Sequence, residues 1–507
     1  MNSFSKYIIS FIASIIIGGL ALVSCISEED YLTDSSVKLK FSSDTLRFDT
    51  VFTTMGSVTK KIMIYNKETK PIKIDNITLG GGRASFYRLN VDGDTSIVAK
   101  NIEIGAKDSL FIFARVTIDP TNQNNPLLVR DSIILSFNSK RQYIQLEAYG
   151  QDAYYHVGKR DLGTTGIKYS LAQDGGLQSG CIINGNELEW KNDKPHVIFG
   201  VLAVDSAYTL TIPEGTRIHL NSKADFWVYT DGSLKVNGSI QNPVIFEGMR
   251  KDSYYSTLPG QWGKLWFWAG SKNNTVNNAI IKNGTIGLVA DSCVTNNIPT
   301  VALTNTKIEN MSLHGILSRG AYITGANLLV QNTSSNTVAL TMGGKYQFVN
   351  CSFANHWWYD TKRKVPTLFL QNYYKDINGN IILRQITEAN FYNTIVWGSL
   401  AEDEIGIDKQ DGADLNYGFE SCLLKTKFLN SQNPNISNCI LNEDPLFNNP
   451  QDGDLRLKAN SPAIGKANPT YSSFYAPFDI NGVVRSNTPS IGAYEYVPIT
   501  KSLILHK

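Results

Sequence analysis

Cutting a glycosidic bond takes two carboxyl groups about 5 to 10 Å apart, so the acidic side chains are the first residues to weigh. Between Gln261 and Ser399 the acids are Asp291, Glu309, Asp360, Asp376 and Glu388. None stands two residues from another, and only loose matches approach the chain's repeat interval, so no pair is marked out to share one face. Arg319, Arg363 and Arg384 could each serve as the base of an elimination, but nothing in their spacing selects one. The acidic stretch Glu402-Asp403-Glu404, continued by Asp408, Asp411 and Asp414, has the oxygen ligands that suit Ca²⁺. Its composition equally suits a solvated loop, and no other cofactor is expected.

Aromatic residues say more. In Gln261-Trp-Gly-Lys-Leu-Trp-Phe-Trp268, Leu265 and Phe267 take the inward phase of a strand and leave Trp266 and Trp268 outward. In Asp225-Phe-Trp-Val-Tyr229, the inward pair Phe226 and Val228 leaves Trp227 and Tyr229 outward. If these segments stack as neighbours, with residues 250–260 looping out between them, four rings share one face. Strands are about 4.8 Å apart, close to the length of a sugar ring, so such a face could stack on a glycan. Trp357, Trp358 and Tyr359 form a second cluster placed to overhang it. The other reading of these rings is a contact covered by the N-terminal domain or by the 250s loop.

The element that must position these residues is written in a recurring phrase: Asn, two residues, an apolar residue, one more, then Asn or Gly. It starts at Asn278, Asn305, Asn327, Asn350 and Asn393, at intervals of 27, 22, 23 and 43 residues. An interval of about 22 is one coil of a stacked β solenoid. The 43-residue gap reads as two coils, one of which, near Pro366 to Leu370, lost the phrase and kept its length. Residues one and three after the opening Asn fill the interior, among them Cys351, Cys422 and Cys439 as small core fillers. The closing Asn283, Asn310, Asn332 and Asn355 are expected at sharp left-handed turns, with side chains hydrogen-bonded up a column, and Gly398 takes the same place.

The chain has 507 residues, with 47 Lys plus Arg against 45 Asp plus Glu, a balance that gives no reason to expect nucleic acid as a partner. Residues 1–24 form a short apolar leader behind Lys6, ending in Leu22-Val23-Ser24-Cys25. This order resembles the lipobox of bacterial lipoproteins, which implies lipidation of Cys25 and a membrane partner through the anchor. Residues 25–35 form a tether whose acidic start, Ile26 to Asp30, resembles the export signal of surface-exposed outer-membrane lipoproteins. Of the six Cys, five remain once Cys25 is lipidated, an odd number that argues against a complete disulfide framework.

Residues 36–150 alternate with period two, as in Lys61 to Asn66, Ser109 to Arg115 and Arg130 to Phe137, and fit an antiparallel β-sandwich. Phe48 to Gly56, Asn66 and Ile144 to Gly150 resemble how immunoglobulin-like domains related to major sperm protein open and close. Residues 151–180 read as a connector, 181–447 as the coil and 448–507 as a segment capping its open end. The coil resembles the right-handed parallel β-helix proteins of the pectate-lyase-like superfamily, making the chain all-β. That resemblance implies enzymes that cut acidic polysaccharides, but the Asp-Asp pair of polygalacturonases is absent. His314-Gly315 matches their His-Gly element only weakly, and without acidic partners it reads as a turn. The expectation is a monomeric, lipid-anchored surface protein that binds polysaccharide or another surface partner without cleaving it. The alternatives are a polysaccharide lyase or glycoside hydrolase acting on acidic glycans, and a structural or assembly lipoprotein.

Overall fold

The structure, a computed structural model, describes residues 30–53, 55–119, 127–157, 169–170, 177–178, 180–183, 188–292, 297–359 and 362–498. The leader and Cys25 lie outside the described residues, as do Asp360 and the start of the tether, 26–29. The chain is all-β and divides into two compact units, Met1–Gln151 and Asp152–Lys507.

The first unit is a pair of sheets around one apolar core. Alternation in Lys60–Tyr65 and Ser109–Val116 buries Ile62, Ile64, Leu110 and Ile112, and the antiparallel register sets Ile62 opposite Ile112. In the five-stranded sheet the opening strand Thr45–Phe52 lies parallel to the closing strand Lys140–Gln151, with a shift of register between Arg47 and Thr50.

The second unit is a parallel β-helix. Coils up to Ile405–Asp408 pass in turn through three parallel sheets, which among the described residues have eleven, nine and nine strands. His196–Phe199, Val201–Val204 and Thr209–Pro213 make one such coil. The first sheet begins at Tyr154–Val157, which pairs in parallel with His196–Phe199, so the coil starts inside the stretch read as a connector. Leu202 stands on Phe226 and Leu210 on Leu234, as their 24-residue offset predicts. Inward side chains are fully buried through the middle coils, and Phe348, Phe391 and Phe419 stack at centroid distances of 5.5 and 4.8 Å. Burial of one such side chain contributes about 1.5–3 kcal/mol.

Two readings of the repeat are corrected. Ser352–Asn355 pairs directly with Ile395–Gly398, so the 43-residue interval is one coil carrying inserts. The extra length lies in residues 356–367 and in the hairpin Tyr373–Lys375/Ile381–Leu383, while Leu368–Gln371 is the second-sheet strand of that coil. The left-handed turn is held most regularly by the opening residue of the phrase: Asn278, Asn305, Asn327, Asn350, Asn393, Ser421 and Asn438 all have φ between 47 and 53°. Of the closing residues Asn283, Asn310 and Asn332 are left-handed, but Asn355 and Gly398 are not. The side-chain column also runs through the opening positions, with Asn327 Nδ2 donating to Asn305 Oδ1 at 2.9 Å and Asn393 Nδ2 to Asn350 Oδ1 at 3.3 Å. Asn355 instead donates to Thr333 and Ser335.

The segment expected to cap the open end lies along the side of the coil. Phe447, Leu455, Ile480, Ile491 and Tyr494 form one apolar cluster with the outward first-sheet residues Leu329, Ile395, Trp397 and Leu423. It also ends the Asn column: Arg485 donates to Asn327 Oδ1 at 2.9 Å, Ser472 to Asn350 Oδ1 at 3.0 Å, and the Asn468 amide to Asn393 Oδ1 at 2.7 Å.

At the start of the coil, Trp190, His196 and His156 are stacked and buried, and His156 Nε2 lies 2.9 Å from His196 Nδ1. Burial pushes the imidazolium pKa down to about 3 at His156 and about 4 at His196. His219, His314 and His356 are lowered by burial as well. An unfolded chain takes up protons below about pH 6.5 that these rings refuse, so stability is full above that pH and falls as pH drops through 6.5 toward 4 and 3. Each ring costs about 1.4 kcal/mol per pH unit within that window. Melting at pH 7 and pH 5 should show a marked drop at the lower pH, smaller in His156→Gln; an unchanged midpoint would refute the assignment.

Candidate functional site

The outer face of the second sheet carries the aromatic residues. Trp227 is in register with Trp266 in the next coil, as expected, and Leu265 and Phe267 are buried inward. Exposure differs from expectation. Trp227 is fully buried, packed with Val201 and Ala203 and contacted by Trp266 and Trp268 at 5.5 and 5.3 Å, so it supports the patch from below. Trp266, Trp268 and Tyr229 are half-buried; Trp266 and Trp268 stack at 4.5 Å, and Tyr229 lies 5.2 Å from Trp268.

Charged side chains hold these rings. Trp227 Nε1 donates to Asp225 at 3.1 Å, and Asp225 accepts from the Lys264 amide and pairs with the Lys264 ammonium at 3.0 Å. The chain at Gly263 passes so close that a Cβ there would sit 1.7 Å from Asp225 Oδ1. Trp266 Nε1 donates to Asp291 at 2.9 Å, and Arg319 grips the same carboxylate through two bonds of 2.6 and 2.8 Å. The Arg319 guanidinium and Lys264 ammonium lie 5.2 and 4.9 Å from the Trp266 ring centroid, within cation–π range. Register alone would have placed Asp291 beside Arg319, because strand Gly284–Asp291 pairs with His314–Arg319. Asp225 and Lys264 were missed because the 250s insert stretches their separation to 39 residues and hides the coil offset.

Arg319 also borders a cavity of about 290 Å³ lined by Ser292, Lys345, Tyr374, Arg384 and Thr387. Lys345 pairs with Glu388 at 3.3 Å, whereas Arg384 donates to the Leu383 carbonyl and lies over the Tyr374 ring. Among the described residues Arg384 has no carboxylate partner. The cavity therefore carries net positive charge beside the rings.

Trp357, Trp358 and Tyr359 form a separate group, in which Trp358 stacks on Tyr359 and Trp357 lies tilted against it, tied to the 250s insert by the Tyr359 hydroxyl, which donates to the Thr257 carbonyl at 3.0 Å. Trp358 is exposed.

The candidate acids are dispersed. Glu309 accepts from Gln331, Asp376 closes a turn on Asn378 and Asn380, and Asp291 and Glu388 are paired as above. Within the acidic stretch Glu404 is buried against Arg363, Glu402 pairs with Lys427, Asp403 accepts from Thr426, and Asp408 accepts from Gln371 and Tyr373. These residues do not converge, and among the described residues no group of three His, Cys, Asp or Glu is placed to hold a metal. His314 Nδ1 lies 3.2 Å from the Asn336 carbonyl. A cluster that sequence reading missed joins His219, Glu247 and Lys282 across successive coils, at 3.5 and 3.0 Å. Lys251 nearby is lowered to about 8 by burial. Its His219 ring is wholly buried, out of reach of a polymer.

No protein-family model matches the chain, and no curated protein matches it. Among solved structures, one similar in part is a family 123 glycoside hydrolase from Clostridium perfringens, at 8% identity over 23% of this chain and 30% of that chain, with a TM-score of 0.17. A PapD-like domain of human CEP192 is 11% identical over 26% of this chain and 94% of that one, at a TM-score of 0.16. The E. coli chaperone DraB is 6% identical over 23% and 55% respectively, also at 0.16. Likenesses this slight carry no functional argument.

Proposed function

We propose that this is a surface lipoprotein, anchored through Cys25, whose β-helix binds an extended polysaccharide without cleaving it. The observation that carries the reading is the half-exposed Tyr229, Trp266 and Trp268 patch, fixed from below by Trp227 and from the side by Asp291 and Arg319. Rings held this rigidly present a flat apolar surface at little entropic cost on binding, and the cationic cavity at Arg384 would take a carboxylate or sulfate of the same chain. The finer kinships belong to the same reading: a pectate-lyase-like, right-handed coil carrying an immunoglobulin-like domain that acts as spacer or docking module.

Affinity electrophoresis in gels containing neutral or acidic polysaccharides tests it. Trp266→Ala plus Trp268→Ala should weaken retardation about tenfold or more, from two ring contacts of about 0.5–1.5 kcal/mol each beyond their burial. Arg384→Ala should weaken retardation by acidic polymers alone, and more so at low salt. Circular dichroism melting separates lost binding from lost folding. Equal retardation of the parent and the double Trp variant would remove the platform.

A further inference from the structure

The last coils of the β-helix are its least secured. Their first-sheet strands, Leu423–Leu424 and Ile440–Leu441, are two residues long, and the second sheet ends earlier, at Ile405–Asp408. Leu423 pairs with Ile440 and Leu424 with Leu441, so the residues just before them, Cys422 and Cys439, stand one above the other. Both follow a left-handed turn residue, Ser421 and Asn438, and both point into the coil.

The inward column here reads Cys351, Thr394, Cys422, Cys439. Each of the last three accepts a hydrogen bond from the amide of the member before it in the column: Cys351 N–H to Thr394 Oγ1, Thr394 N–H to Cys422 Sγ and Cys422 N–H to Cys439 Sγ, all 3.4 Å. Thr394 keeps Cys351 a coil away from the other two thiols. Neighbouring strands place paired Cα atoms about 4.8 Å apart, inside the 4.4–6.8 Å span that a disulfide bridges.

We propose that Cys422 and Cys439 are a redox pair that closes into a disulfide stapling the final coil, with Cys351 left as a thiol. The reaction is exchange with an oxidised dithiol or glutathione disulfide. The Cys439 thiolate attacks one sulfur of the oxidant and expels the other as a thiolate. Cys422 then loses its proton and attacks the Cys439 sulfur of the mixed disulfide, releasing the second thiol. Two protein thiols are oxidised, one external disulfide is reduced, and both protons end on the departing thiols. Cys439 suits the first step because it is the less buried of the two, and its thiol is lowered by the hydrogen bond from Cys422, which burial holds in the protonated form.

The experiment uses the full chain, purified reduced and equilibrated in buffers of defined glutathione ratio. It is then denatured, alkylated and digested with trypsin, which cuts between the two cysteines at Lys425 and Lys427. A linked peptide pair containing Cys422 and Cys439 should appear as the buffer becomes oxidising, with Cys351 alkylated throughout. The melting midpoint should rise by several degrees over the same range. Cys439→Ser should melt like the reduced parent and lose both the link and the redox dependence. Equal alkylation of Cys351, Cys422 and Cys439 in oxidising buffer, or linkage of Cys439 to any cysteine other than Cys422, would overturn the proposal.

Discussion

Glu404→Ala should destabilise the β-helix by about 3–5 kcal/mol, the cost of leaving a buried cation without its partner. Arg363 and Glu404 are buried side chains joined by two bonds of 2.7 and 2.6 Å. The carboxylate also accepts from the Thr367 amide at 3.0 Å, the Thr367 hydroxyl at 2.6 Å and the Leu400 amide at 2.8 Å. Arg363 in turn donates to the Val365 and Asn355 carbonyls, so the pair ties the 356–367 insert to two coils. Gly398 completes the arrangement: a Cβ there would sit 2.3 Å from Glu404 Oε1, which explains a glycine at a position whose backbone is extended. Urea unfolding of Glu404→Ala, Arg363→Met and the Arg363→Met/Glu404→Leu double variant would measure the coupling. Both single variants should lose more than the double variant, because removing both charges leaves no buried ion without its counter-charge. Additive losses in the double variant would show that the pair is not a unit.

Arg485→Ala should release the C-terminal segment from the side of the coil. Its guanidinium is buried and donates to Asn327 Oδ1 and to the Ser490 and Gly492 carbonyls at 2.9–3.2 Å, with Glu495 at 3.5 Å. Truncation leaves these acceptors buried without a donor, at about 1–3 kcal/mol for each group not reached by water. Lys offers one ammonium in place of the planar fork, so Arg485→Lys should not restore the wild-type behaviour. Detachment uncovers Leu329, Ile395, Trp397 and Leu423, read as a gain in fluorescence of an apolar dye and as new proteolytic cleavage after Asn442. Resistance to cleavage equal to the parent's would show that the apolar cluster alone holds the segment.

How far the sequence carries differs from feature to feature. Period-two alternation is a property of neighbouring residues, so the inward residues Leu265, Phe267, Phe226 and Val228 are legible without coordinates. Coil offset is legible wherever no insert intervenes, as for Leu202 over Phe226. Where one does, a coil that lost its phrase and a coil with a 21-residue insertion have the same length, and only strand pairing separates them. The turn role of the opening Asn was missed because Asn and Gly mark turns at both ends of the phrase, and composition does not say which end is left-handed.

By itself the sequence determined an all-β chain, a stacked parallel coil and the outward phase of Trp227, Tyr229, Trp266 and Trp268. Tertiary structure alone decided which of those rings is accessible, that the closing segment lies along the side, and that Glu404 faces Arg363. The physical reason is range: strand phase depends on residues one and two apart, whereas burial and charge pairing depend on whatever chain, tens to hundreds of residues away, comes to rest against a face.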